Sequence, residues 1–65
     1  MEYNVYVCDA FSDKAILFGG SYGTEDAARI RGEEMMEDTN PHKYYPVVVE
    51  AGSVRDEELL ASMPR

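Results

Sequence analysis

The residue types that could form a nucleophile and its base are a single cysteine, Cys8, and a single histidine, His42. Cys8 lies in a segment predicted to be a central strand, where a free cysteine usually behaves as a small apolar residue. The chain has no second histidine, and no oxyanion site is evident beside these two residues. We therefore expect no catalytic residues and no enzymatic activity.

A glycine-rich segment, residues 19–24, reads Gly-Gly-Ser-Tyr-Gly-Thr and precedes a predicted helix. Backbone N–H groups in such a segment can hold a phosphate, so a small-ligand site here is one hypothesis. The segment lacks the lysine of a P-loop, and Glu25 and Asp26 would repel an anion, which favours a simple turn and helix N-cap. Asp9 and Asp13 do not match the spacing of a calcium loop. No metal site and no cofactor are predicted.

A row of carboxylates at helical spacing is the most distinctive pattern in the chain. At 100° per residue, one side of the predicted long helix carries an apolar residue among four acids. Like charges three or four residues apart repel each other, so this row does not serve the stability of the helix. It is either a solvated face that keeps the protein soluble or a docking surface for a basic partner. These candidate partner-binding residues are Asp26, Ile30, Glu33, Glu34 and Glu37.

The chain has 65 residues, with 13 acidic and 6 basic side chains and a net charge of −7. At this length we expect a single small acidic domain, residues 1–65, with little room for a deep pocket. The negative charge argues against direct binding of nucleic acid or an anionic membrane. One cysteine cannot form an internal disulfide, and no leader or membrane-spanning run is apparent, so we expect a cytoplasmic protein.

Three segments predict the strands of an antiparallel sheet. Tyr3–Cys8 alternates and is rich in β-branched and aromatic residues, as strands are. A turn at Asp9–Lys14 leads to a second strand, Ala15–Phe18, and we expect the following glycines to end it. The third strand, Tyr44–Glu50, contains Pro46, which has no N–H for a neighbouring strand and therefore belongs at a sheet edge.

Two helices complete the predicted order ββαβα. Thr24 is a typical N-cap, followed by a helix from Glu25 to Asp38. Ser53, with Asp56 three residues later in a shorter version of the capping box, begins a short C-terminal helix. A right-handed connection between the second and third strands gives the strand order 2-1-3. We predict a two-layer α+β domain with the long helix on one face of the sheet.

The two predicted helices carry the charge. Residues 25–38 contain six acids and two arginines, net −4, and residues 50–58 contain four acids and one arginine, net −3, so the remainder is neutral. In the long helix, the side opposite the acids contains small and apolar residues that would approach the sheet closely: Ala28, Gly32, Met35 and Met36. Whether the acidic surfaces of the two helices join depends on where the second helix packs.

The sheet is predicted to be apolar on both faces, and one long helix can cover only one. The second face must be covered by the C-terminal helix, by a second copy of the chain, or by a partner. Tyrosine favours interfaces because it buries a large area with few rotatable bonds. The candidate residues for an open sheet-face interface are Tyr6, Phe18 and Tyr44.

These patterns favour a non-catalytic protein-binding module. The most specific hypothesis is a small acidic inhibitor that mimics nucleic acid and blocks a nucleic-acid-handling protein through a basic surface. A phage or mobile-element protein acting against a host defence complex, as anti-CRISPR proteins do, is an example of this class. The alternative is a structural module that forms a homodimer through the tyrosine-bearing sheet face.

Overall fold

The computed structural model describes residues 1–64, and the elements follow the predicted order ββαβα. The sheet is antiparallel with the order β2-β1-β3, which confirms the predicted topology with the first strand at the centre. Neither helix within residues 1–64 is long and apolar enough to cross a membrane. The elements are β1 (Tyr3–Asp9), β2 (Ala15–Tyr22), α1 (Glu25–Met36), β3 (Tyr44–Glu50) and α2 (Val54–Ser62).

Strand β2 is longer than predicted, because the glycines that were expected to end it continue the pairing with β1. Gly20 pairs with Val5, and the register shifts between this pair and the next one, which leaves Gly19 as an extra residue in a bulge. A Cβ on Gly19 would overlap the Met35 sulfur and lie 3.3 Å from the Val5 Cβ. Gly20 has a φ of 105°, which glycine adopts at little cost. The two glycines thus shape a strand bulge beneath α1.

Helix α1 ends at Met36, two residues earlier than predicted. The N–H of Glu37 donates to the Glu34 carbonyl at 3.2 Å, and the N–H of Thr39 donates to the Met36 carbonyl at 3.1 Å. Both bonds span three residues rather than the four of an α-helix, which tightens the final turn. The Thr39 hydroxyl donates to the Met35 carbonyl at 2.9 Å and satisfies one of the remaining acceptors.

The side of α1 that faces the sheet is the predicted one. Ala28 and Gly32 are buried, and Met35 and Met36 are partly buried. A Cβ on Gly32 would lie 3.1 Å from the Pro46 Cβ of β3. This spacing explains why a glycine is present in mid-helix despite costing about 1 kcal/mol of helix propensity relative to alanine.

Helix α2 covers the second face of the sheet, so the domain has three layers rather than the two predicted. Leu59 is 1 % exposed and packs on Tyr6, Cys8 and Ala15. The hydroxyl of Ser62 accepts from the Ala15 N–H at 2.9 Å and joins the end of α2 to the start of β2. Partly buried side chains surround this core: Tyr45, Val47, Val49 and Met63. The C-terminal helix was one of three coverings considered for this face, beside a second copy of the chain and a partner, and it is the one that the structure shows.

Candidate functional site

The candidate surface lies on α1, and the local sequence explains why the helix begins where it does. Thr24 has an extended backbone, and its hydroxyl accepts from the Ala27 N–H at 3.1 Å. Glu25 and Asp26 follow in the first turn, where a negative charge interacts favourably with the helix dipole. The N-cap therefore fixes the residue at which the helix begins.

Ile30 points away from the sheet. Gly32 lies against Pro46 of β3, and Met35 lies against Gly19 of β2, so the side of α1 facing the sheet is centred between Gly32 and Met35. At 100° per residue, the opposite direction falls within about 10° of Ile30. Ile30 is 51 % exposed, which is high for a large apolar side chain at the centre of a helix.

The four predicted acidic side chains surround Ile30 and are all exposed. We call these five residues, Asp26, Ile30, Glu33, Glu34 and Glu37, the acidic face.

One cation, which the sequence pattern did not single out, lies at the border of the acidic face. Arg29 contacts Glu33 at 3.0 Å and Asp26 at 3.8 Å. Exposed ion pairs of this kind contribute about 0.2–1 kcal/mol, so Arg29 offsets part of the repulsion at one side of the acidic face. The spacing of Arg29 and Glu33, four residues apart, is a signal from which this pair could have been predicted.

Within residues 1–64, Glu34 and Glu37 form no ion pair. Together with Ile30 they make up the part of the acidic face that is not engaged in an ion pair within the described residues. The arrangement can offer charge-assisted hydrogen bonds to lysine or arginine side chains around a central apolar contact.

The acidic segments of α1 and α2 do not merge, because the two helices lie on opposite faces of the sheet. Glu57 and Glu58 are exposed on α2. Asp56 is different from these neighbours, since it is only 7 % exposed and belongs to the core. The acidic face of α1 is therefore a separate surface.

Asp56 holds α2 on the sheet through hydrogen bonds that the sequence pattern did not predict. Its carboxylate accepts from the Tyr6 hydroxyl at 2.6 Å, from the Asn4 Nδ2 at 3.0 and 3.1 Å, and from the Gly52 N–H at 2.8 Å. Ser53 caps the helix as predicted, accepting from the Asp56 N–H at 3.1 Å. The carboxylate does not complete the predicted capping box at Ser53. Its bonds instead join α2 to the central strand.

The environment of Asp56 shifts two pKa values. Burial alone would raise the pKa of the Asp56 carboxyl, but the hydrogen bonds from Asn4, Tyr6 and Gly52 outweigh burial and lower that pKa below its ordinary value. Burial, followed by the hydrogen bond to Asp56 and its negative charge, raises the pKa of Tyr6 to about 12. At neutral pH the pair is a carboxylate and a neutral phenol.

We expect the free energy of unfolding to depend on pH through Asp56. Because the pKa of this carboxyl is lower in the folded chain than in the unfolded chain, its stabilisation is present above the unfolded value of about 4 and is lost as the pH falls through the folded value. The difference in unfolding free energy between wild type and Asp56→Ala should therefore narrow below about pH 4. Urea unfolding of both proteins from about pH 6 to about pH 2 measures this difference, and a constant difference would contradict the assignment.

The three residues predicted to form a sheet-face interface do not share an exposed surface. Tyr6 is 1 % exposed beneath α2, so we withdraw it as an interface residue. Tyr44 pairs with Asp9 and lies on the α1 side of the sheet, opposite to Tyr6. Phe18 is on the Tyr6 side, with ring centroids 5.3 Å apart, and is 47 % exposed. The register of the strands and the packing of α2 separate these residues.

The other sequence-level candidates have the following positions. The glycine-rich segment is mostly part of β2, and only Gly23 and Thr24 connect this strand to α1, so the predicted turn is wrong. Cys8 is fully buried under α2, and burial raises the pKa of its thiol. His42 is exposed in the loop before β3, where its N–H donates to the Asn40 side chain. Residues 1–64 contain no pocket and no cluster of three metal-ligating side chains.

In comparisons with protein-family models, curated proteins and solved structures, nothing matches this chain.

Proposed function

We propose that the chain is a non-catalytic protein-binding module whose acidic face docks on a basic surface of a partner. More specifically, we propose a small inhibitor that occupies the nucleic-acid site of a nucleic-acid-handling protein. The observation that supports this most is the position of Ile30, half exposed and directed away from the sheet, among four exposed carboxylates. An apolar side chain enclosed by carboxylates offers a partner an apolar contact together with charged ones, as the core and rim of an interface do.

The charge density of the acidic face supports mimicry of nucleic acid. From Asp26 to Glu37 the helix rises by about 17 Å, at about 1.5 Å per residue. Three of the carboxylates, Glu33, Glu34 and Glu37, lie within about 6 Å of this rise, with an average spacing of about 3 Å, compared with about 3.4 Å along a single strand of DNA, and Asp26 lies about 10 Å before them. Arg29 reduces the effective charge at one side only. A groove built for a phosphate backbone would therefore meet a similar line of charge.

Ile30 gives this surface a specificity that charge alone lacks. Polyanion-binding surfaces attract any dense negative charge, and salt weakens such binding. An apolar side chain at the centre of an interface loses contact with water and contributes where shape matches. We infer that the partner has a small apolar recess among its basic residues, which receives Ile30.

Capture followed by competition tests the proposed function. Immobilised wild-type chain is exposed to a lysate of the organism that encodes it, and bound proteins are eluted with salt. We expect a captured protein that binds nucleic acid and that duplex DNA or duplex RNA releases from the immobilised chain, because both ligands would occupy one basic site. If neither nucleic acid releases any captured protein, the proposed mimicry is wrong.

A further inference from the structure

Strand β2 is an edge strand with an open outer side. Within residues 1–64 it pairs only with β1, so its other side has no partner strand. Two hydrogen bonds reach backbone groups of this strand from outside the sheet ladder: the Ala15 N–H donates to the Ser62 hydroxyl, and the Gly19 carbonyl accepts from the Tyr22 hydroxyl. An edge of this kind is a template for pairing with another strand.

The two edges of the sheet differ in how they are protected. Strand β3 contains Pro46, which lacks an N–H and interrupts pairing on its outer side. Strand β2 contains neither proline nor a charged residue. The features of β2 that hinder pairing with another strand are two bulges, at Gly19 and Ile16. Between the bulges, Leu17 and Phe18 form a short regular segment. Only β2 therefore offers an uncharged edge.

The side chains of this regular segment are apolar and exposed. Leu17 is 53 % exposed and Phe18 is 47 % exposed, on opposite faces of the sheet. Leu17 is uncovered because α1 packs mainly over β1 and β3. A neighbouring strand that extends the sheet would bury both of these side chains, because successive residues of a strand contribute to both faces.

We propose that this neighbour is a second copy of the chain, paired antiparallel through β2 to form a six-stranded sheet. A basic partner gains nothing from an uncharged edge, whereas a chain of net charge −7 can approach itself most easily where its surface is neutral. Strands lie about 4.8 Å apart, so the two α1 helices, each over β1 and β3, would be about 19 Å apart. This exceeds the Debye length of about 8 Å at physiological salt, so repulsion between the acidic faces is screened.

A register that pairs Leu17 with its copy on one face places the two Phe18 side chains at diagonal positions on the other face, about 7–8 Å apart and within reach of aromatic side chains. Only a short regular segment lies between the bulges, so the pairing of the two copies is weak. The fraction of dimer therefore changes with protein concentration within the range that sedimentation can measure. The interface leaves Ile30 and the acidic carboxylates free, so the inference does not depend on the proposed function.

Sedimentation velocity of the full chain, from micromolar to millimolar concentration at low and high salt, tests the dimer. We expect a monomer–dimer shift that salt strengthens, because salt screens the repulsion between two acidic chains. Leu17→Lys should weaken the dimer by about tenfold or more, since it places a charge at the paired edge. Leu60→Lys on exposed α2 makes the same change in net charge and should leave the dimer within about twofold of wild type.

Hydrogen exchange on the wild-type chain tests the same edge without a variant. We expect protection that rises with protein concentration at β2 amides and not at α1 or β3 amides. The inference is wrong if the chain stays monomeric at millimolar concentration and high salt, if Leu17→Lys dimerises as wild type does, or if concentration-dependent protection appears away from β2.

Discussion

Replacing Asp56 with alanine should lower the free energy of unfolding by about 3 kcal/mol or more. The substitution removes the acceptor for three donors, the Tyr6 hydroxyl, the Asn4 amide and the Gly52 N–H, which are buried or partly buried between α2 and β1. Each buried donor left without an acceptor costs about 1–3 kcal/mol. Since a chain of this size has a total stability of roughly 3–10 kcal/mol, a substantial unfolded population should appear at room temperature.

Urea unfolding measures this loss, and two variants serve as controls. Glu57→Ala changes an exposed carboxylate next to Asp56 and should alter stability by less than about 0.5 kcal/mol. Asp56→Asn keeps the size of the side chain but places an amide donor among groups that all donate, so we expect most of the loss to persist. A stability close to wild type for Asp56→Ala would show that the carboxylate does not hold α2 in place.

Reversing three charges on the acidic face, by the combined change Glu33→Lys, Glu34→Lys and Glu37→Lys, should weaken binding of the basic partner by about a hundredfold or more. Attraction at each carboxylate becomes repulsion against the basic surface of the partner. The fold should remain, because these side chains are exposed and the Arg29–Glu33 pair is worth little. Circular dichroism and urea unfolding of the triple variant check this directly.

The matched control, the α2 triple variant, reverses three exposed carboxylates outside α1, two of them on α2: Glu2→Lys, Glu57→Lys and Glu58→Lys. Both triple variants change the net charge by the same amount, from −7 to −1, since each replaces three negative charges with three positive ones. They differ in whether α1 carries the change. Binding through bulk charge would respond to both, whereas binding through the acidic face responds to the α1 triple variant alone.

The order of the strands and helices follows from short-range patterns in the chain. Alternation marked β1, Pro46 marked an edge strand, and the hydroxyls of Thr24 and Ser53 marked the starts of both helices. The buried pair Ala28 and Gly32 followed from helical periodicity. Each of these features depends on residues close together in the chain, and for this reason each could be predicted.

The misassigned features depend on contacts between distant residues. Gly19 and Gly20 resemble a turn, but Gly20 pairs with Val5 of β1 and Gly19 lies against Met35 of α1, contacts that the local sequence does not show. The packing of α2 rests on the hydrogen bond between Tyr6 and Asp56, which are 50 residues apart. A polar Asn4 and a Tyr6 on one face of an otherwise apolar strand were the available signal that this face needs a polar partner.

Dependence on contacts between distant residues also decided which candidate surface could be predicted. The exposure of the five residues of the acidic face could be predicted because all five belong to one helix, and its role in binding stays a prediction. The sheet-face interface could not, because it depended on which side of the sheet each strand presented and on what covered that side. Once α2 occupies the Tyr6 side, the exposed apolar residues of the sheet remain at the β2 edge.

Displacement of a labelled nucleic-acid duplex from the captured partner tests the role of the acidic face most directly. Wild type and both triple variants are titrated into the same complex, and the anisotropy of the duplex is followed. We predict that wild type and the α2 triple variant displace the duplex with affinities within about threefold, and that the α1 triple variant is weaker by about a hundredfold or more. Equal weakening of the two variants, or no weakening of either, would contradict docking through the acidic face of α1.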